Sequence, residues 1–228
     1  MKCMVNRQIS KEVTDSLAGF GEVILFETSG ITYPEVSGHA DLFFCSGNGK
    51  LIVAPNTPRK YLNLLQKHGV DFITGRLPVG NKYPHTARYN VVITEDYLIH
   101  NTKITDPVII ETYNNLKTIH IGQGYARCSL LALKNNRFIT SDKGIEKVLS
   151  KQGFEVLYVN PEGIVLPGYR HGFIGGTAGI LENSIFFTGS LNRFSGGDKI
   201  RNFLCKDNYE IIESGNGPLF DAGSIIFI

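Results

Sequence analysis

The residues best suited to chemistry in this chain are a histidine, a cysteine and two aspartates, each at the start of an apolar run. His39 and Asp41 are two positions apart in Gly38-His39-Ala40-Asp41-Leu42-Phe43, so on a strand they would share one face. An imidazole beside a carboxylate suits proton transfer or the binding of a cation. The pair is also an ordinary surface pair at the mouth of a strand. Cys128 follows Arg127 in Gly124-Tyr125-Ala126-Arg127-Cys128-Ser129. A nearby cation favours the thiolate, which is the nucleophilic form. On a strand Arg127 and Cys128 would point to opposite faces, and a free cysteine is among the residues cores bury most readily. Asp221 lies in Phe220-Asp221-Ala222-Gly223-Ser224, close to the last residue.

A glycine-rich run, Gly168-Tyr169-Arg170-His171-Gly172-Phe173-Ile174-Gly175-Gly176, carries two further candidates. It lacks the Lys-Ser/Thr ending of a phosphate loop and the helix a dinucleotide fingerprint requires. Its glycines are expected to let the backbone turn tightly into a narrow space. Arg170 is either a contact for a substrate carboxylate or a solvated loop arginine, and His171 is a reserve acid–base candidate. The four cysteines, Cys3, Cys45, Cys128 and Cys205, are far apart, with no Cys/His spacing for a metal and no cofactor motif. Free thiols are therefore expected.

Composition narrows the class. The chain has 228 residues, of which 42% are hydrophobic and 19% charged, enough to bury a large core. The formal net charge is +2 with no basic block, which argues against nucleic-acid binding. No apolar run reaches the ~20 residues of a membrane helix. The first residues turn polar by Asn6, which argues against a secretory signal and for a cytoplasmic protein.

The elements that must position these groups repeat. A motif of a polar residue, alanine and a small or charged residue precedes a β-rich run around Ala40, Ala87, Ala126, Ala178 and Ala222. These alanines are 47, 39, 52 and 44 residues apart, and the interval from Ala222 through the C-terminus and on from Met1 to Ala40 is 46. Such a period marks a repeat architecture. After each anchor strand come a second strand, an amphipathic helix and a third strand. In the first module Leu51–Val53 is a strand, Pro58 stands at the first helical position, Tyr61, Leu62, Leu64 and Leu65 form the stripe, and Val70–Ile73 closes. In the third, Ser141 or Asp142 caps a helix with Ile145, Val148 and Leu149, and Gly153 stops it. Asp106-Pro107 opens the helix of the second. The fifth module is split between residues 221–228 and 1–27. The expectation is a single α/β domain over residues 1–228, a ring of five ββαβ modules with strands around a central channel, closed by pairing of the C-terminal strand with the N-terminal module.

That arrangement resembles the pentein, or guanidino-group-modifying, superfamily, which includes arginine and agmatine deiminases, dimethylarginine hydrolases, amidinotransferases and a non-catalytic ribosome-binding factor. His39-Ala40-Asp41 is similar to the strand that carries their catalytic histidine and a guanidinium-binding aspartate. The segment around Cys128 is similar to the strand of their nucleophilic cysteine, two modules on. Asp221-Ala222-Gly223 is like the acidic residue and glycines that supply a second carboxylate. The module order is circularly permuted relative to arginine deiminase. Thr177 is neutral where the deiminases carry charge, and Ser224 replaces one carboxylate. Gln123-Gly124-Tyr125, Gly172–Gly176 and Pro218–Asp221 are most similar to an uncharacterised bacterial family within the superfamily.

The resemblance implies a hydrolase of a small guanidino or amidino compound, a deiminase or amidinohydrolase working through a covalent cysteine intermediate. It implies catalytic Cys128 and His39, substrate contacts from Asp41, Asp221, Arg127 and Arg170, and neither metal nor cofactor. The alternative it leaves open is a non-catalytic protein that keeps the fold and contacts a protein, a ribosome or a small ligand.

Overall fold

The computed structural model describes residues 2–228. The chain begins with β1 (Lys2–Asn6), α1 (Lys11–Ala18) and β2 (Glu22–Phe26). It continues with β3 (Phe44–Gly47), β4 (Lys50–Val53), α2 (Arg59–Lys67) and β5 (Ile73–Thr74), then β6 (Val92–Ile93), β7 (Tyr97–His100), α3 (Pro107–Thr112) and β8 (Lys117–His120). Next come α4 (Ala126–Ser129), β9 (Leu130–Ala132), β10 (Phe138–Thr140), α5 (Lys143–Lys151) and β11 (Val156–Tyr158). The last elements are β12 (Ala178–Leu181), β13 (Ser184–Phe187), α6 (Gly197–Cys205), β14 (Glu210–Glu213) and β15 (Ile226–Phe227).

Among the described residues the strands form five three-stranded sheets: β15-β1-β2, β3-β4-β5, β6-β7-β8, β9-β10-β11 and β12-β13-β14. Each joins an antiparallel pair to a parallel one, and a helix makes the parallel crossover. The split module closes as the repeat interval requires. Cys3 pairs with Phe227 and Met4 with Ile226, while Ile228 and Lys2 exchange backbone hydrogen bonds of 2.9 and 3.2 Å.

The helices form for local reasons. The Asp142 side chain accepts the Ile145 N–H at 2.9 Å and so caps α5, which buries Ile145 and Leu149 one turn apart. Ser10 caps α1 through the Val13 N–H, and Val13 and Leu17 face inward. Asp106 caps α3 ahead of Pro107. Pro58 occupies the cap position of α2 rather than its first helical residue, and the closing strand of that module is Ile73–Thr74. No helix among the described residues is long and apolar enough to cross a membrane.

The chain divides into two compact units. One comprises the segment ending at Glu27, Gly38–Ala40 and Arg127–Ile228. It holds sheets β15-β1-β2, β9-β10-β11 and β12-β13-β14, with one hydrophobic cluster that includes Ile139, Phe187 and Leu204 and another that includes Val13, Leu17 and Phe186. The other comprises Thr28–Ser37 and Asp41–Ala126 and holds sheets β3-β4-β5 and β6-β7-β8. Its buried Asp106 accepts from the backbone of Arg76, Leu77 and Val108 and from the Tyr89 hydroxyl.

Two local expectations are corrected. Cys128 lies in the short helical turn α4, ahead of its strand, and Asp41 lies in a 3-10 turn, Ala40–Leu42, ahead of β3. The period-two argument about which side chains share a face therefore does not apply to either pair, because such turns repeat at three or more residues. The anchor alanines mark these tight approaches. All five are at most 2% exposed.

Candidate active site

The first compact unit gathers three of the residues singled out from the sequence. A ring nitrogen of His39 and the sulfur of Cys128 lie within 4.8 Å of each other, and both residues are buried. That is the range from which a thiol and an imidazole can exchange a proton after a small adjustment. An imidazole and a thiol are also zinc donors, so metal must be controlled for in any test of this pair. Asp221 is wholly buried. Its Oδ2 accepts the Phe173 N–H at 2.8 Å and its Oδ1 the Gly223 N–H at 3.1 Å.

The glycine-rich run explains how these groups share so little space. A Cβ on Gly176 would lie 1.9 Å from Asp221 Oδ1, and one on Gly175 would lie 2.1 Å from the Arg127 carbonyl oxygen and 2.9 Å from that of Cys128. One dipeptide thus packs against the carboxyl with one residue and against the backbone of the cysteine turn with the other. The run makes room for partners, rather than serving only to turn the backbone as read from the sequence. Gly223, at φ +66°, plays the same part for His39, whose Cβ would be 2.5 Å from a Cβ placed there. The loop is fixed by hydroxyls: Ser141 Oγ accepts the Ile174 N–H, Thr177 Oγ1 donates to Ile174 O and Ser224 Oγ donates to Gly175 O. Thr177 and Ser224, the two positions that lack charge, therefore hold the loop.

Burial shapes the electrostatics. Asp221 has no ion pair among the described residues, and its desolvation pushes the carboxyl up to about 7, against the pull of its two backbone donors. Burial pushes the Cys3 thiol up to about 11. Cys205 is exposed at the end of α6, and none of the four cysteines is in a disulfide.

The remaining candidates are distributed as follows. Arg127 is half-buried in the same turn as Cys128, and its Nε is enclosed without a hydrogen-bond partner. Arg170 is 83% exposed with Glu162 at 3.7 Å, which leaves it on the surface. His171 is half-buried, its Nδ1 3.0 Å from the Gly172 carbonyl. Asp41 is wholly buried in the second unit, where its carbonyl accepts from Asn90.

Sequence reasoning passed over His100, also in the second unit. It is fully buried between Thr105 Oγ1 at 2.6 Å and the Gly124 carbonyl at 2.8 Å, and burial lowers its pKa to about 4. It fixes the loop that leads toward Cys128. The Tyr125 hydroxyl does so too, meeting Thr86 Oγ1 at 2.6 Å and the Tyr33 hydroxyl at 3.0 Å. Neither contact has a periodic signal in the sequence.

Known structures show the same fold. The chain is similar to the dimethylarginine dimethylaminohydrolase (DDAH) of Pseudomonas aeruginosa, in a Cys-to-Ser variant complexed with citrulline. The identity is 8%, the TM-score 0.54, and the match covers 95% of this chain and 91% of that one. It is similar to the agmatine deiminase of C. jejuni at 12% identity and TM-score 0.54, covering 95% and 87% of the two chains. The amidinotransferase SxtG of Microseira wollei, from the saxitoxin biosynthetic pathway, matches at 11% identity and TM-score 0.55, covering 95% and 88%. The architecture is thus the pentein fold. No curated protein matches the chain in sequence. The match that spans residues 4–226 is to the family of unknown function DUF6873, and the chain belongs to that family.

Proposed function

We propose that the protein is a cysteine-dependent hydrolase of a guanidino or amidino compound. The observation that carries this reading is the approach of Cys128 and His39 to within 4.8 Å, in the unit that also buries Asp221 without a cationic partner. A planar cation is the ligand such an unpaired buried acid is suited to receive. Similarity of fold to a DDAH that holds citrulline and to an agmatine deiminase is consistent with it.

In this mechanism the Cys128 thiolate attacks the guanidinium carbon and forms a C–S bond. The C–N bond to the departing amine then breaks as His39 gives that nitrogen a proton. His39 next takes a proton from water, the resulting hydroxide adds to the same carbon, and the C–S bond breaks to return the thiolate and release a ureido product. Asp221 holds the N–H groups of the cation and fixes the plane that the sulfur attacks. Asp41, two residues beyond His39, takes its carboxylate role from the sequence pattern alone, as Arg127 takes its substrate contact. An amidinotransferase would share the first half and accept an amine in place of water.

A second reading, a binding protein without chemistry, draws on Thr177 and Ser224, whose hydroxyls hold their own loop. The deciding experiment is intact-protein mass spectrometry after incubation with 2-chloroacetamidine, with and without a chelator. One adduct mapping to Cys128 and lost in Cys128→Ser supports the hydrolase. Iodoacetamide should still label exposed Cys205 in both proteins, which verifies the reagent, while buried Cys3 and Cys45 should resist it, which verifies the fold. Equal amidine labelling of the variant rejects the nucleophile.

A further inference from the structure

Asp221 sits where a permanently ionised carboxylate would be poorly solvated. The side chain has no exposed surface, and its only hydrogen-bond partners among the described residues are the N–H groups of Phe173 and Gly223. Gly176 closes against Oδ1 so tightly that a Cβ there would lie 1.9 Å from it. Two neutral dipoles offset part of the cost of burying a full negative charge, and a cation would be needed to offset the rest. The titratable and charged groups on the surrounding elements do not supply one. His171 is turned to the Gly172 carbonyl, and His39 packs its Cβ and Cγ against Gly223 and makes no hydrogen bond to the Asp221 carboxyl. Arg127 and Cys128 meet the glycine loop through their carbonyls.

Resting on the guanidino reading above, we propose that Asp221 exchanges a proton for its ligand. It holds the proton while the site lacks a cation and releases it to solvent when a guanidinium or amidinium docks. The exchange balances. The carboxyl O–H bond breaks, the proton goes to water, and charge-assisted N–H···O bonds to the cation replace it. The buried position is thus neutral when empty and a neutral ion pair when filled. The rise of the carboxyl to about 7 places this exchange in the neutral range. A neutral ureido product offers Asp221 no charge to pair with, so the carboxyl regains its proton as the product forms and the product's hold weakens. The same residue would therefore admit a cation and release a neutral molecule.

The experiment is calorimetric titration of the Cys128→Ser protein with agmatine, and with N-butylurea as its neutral counterpart, in two buffers of different ionisation enthalpy. Agmatine should release about 0.9 proton per site at pH 6 and about 0.1 at pH 8. Its Kd should tighten about tenfold per pH unit on the acid side and level off above pH 7. N-butylurea should release none. Asp221→Asn in the same background should abolish the release while leaving His39 in place. Should that variant fail to fold, the infrared difference spectrum of the parent protein gives the same answer, since agmatine must remove a protonated-carboxyl band. Agmatine binding without proton release at pH 6, or undiminished release from the Asp221→Asn protein, overturns the proposal. Binding of neither agmatine nor any other guanidine at any pH rejects the guanidino reading itself, and this proposal with it.

Discussion

Replacing Asp221 by asparagine measures, with no ligand present, what the candidate site costs the fold. An aspartate in the unfolded chain titrates near 3.9, whereas burial holds Asp221 up to about 7. Between those values the folded protein binds more protons than the unfolded chain. The contribution of this group to stability is therefore greatest in acid, falls as pH rises through that window and levels off above about 7. Each pH unit well inside the window corresponds to about 1.36 kcal/mol and the slope fades as pH nears 7, so passing from pH 5 to pH 7 removes about 2.3 kcal/mol from the wild-type protein. Asparagine has no proton to lose and contributes no such slope. Its amide NH2 must face either the Phe173 or the Gly223 N–H, an orphaned donor worth about 1–3 kcal/mol, and this cost does not depend on pH. The informative quantity is consequently the change in the stability difference. Relative to wild type, Asp221→Asn should gain about 2.6 kcal/mol between pH 5 and pH 8, whichever protein is the more stable at pH 5. Urea unfolding of both proteins at pH 5, 6, 7 and 8, with equal m-values, reads this directly. A stability difference that stays flat across the series would falsify the assignment of a proton to the buried carboxyl.

Two other perturbations follow from the same packing and charge. Gly176→Ala places a methyl group 1.9 Å from Asp221 Oδ1 and should cost about 1–3 kcal/mol, whereas Gly122→Ala has nothing within 4 Å and should be close to neutral. Equal urea midpoints for the two variants would contradict the tight approach. His100 acts in the opposite sense to Asp221. Burial lowers it to about 4, so the folded state binds fewer protons than the unfolded chain, where histidine titrates near 6.5. Its contribution is complete above about pH 7.5, and about 2.6 kcal/mol is lost as pH falls from 6.5 to 4. His100→Gln should flatten the acid limb of the stability curve, and an unchanged limb would reject this account.

The module order was legible because it rests on patterns that recur. The buried alanines set the period, the stripes of Val13 and Leu17 or Ile145 and Leu149 set the helices, and the wrap interval set the pairing of Met4 with Ile226. The conformation of the candidate site was harder to read. A four-residue turn such as Ala126–Ser129 is too short to carry periodicity, so in sequence Cys128 reads as part of the strand that starts two residues later. The purpose of Gly176 depends on Asp221, 45 residues away, and composition alone gives only flexibility.

Ser224 gives the sharpest contrast between the two kinds of information. In sequence it is a missing carboxylate. In the structure it adopts φ +65°, a left-handed conformation that costs a non-glycine residue about 1–2 kcal/mol. Glycine would hold that backbone without strain, so the side chain must return something. Its hydroxyl donates to the Gly175 carbonyl at 3.2 Å, and its N–H reaches the Gly176 carbonyl at 3.0 Å. Those are the two glycines that lie against the Cys128 turn and against Asp221. A residue that reads as a lost ligand contact is thus a clamp on the wall between the Cys128 turn and Asp221, held at a backbone cost that its contacts with that wall offset.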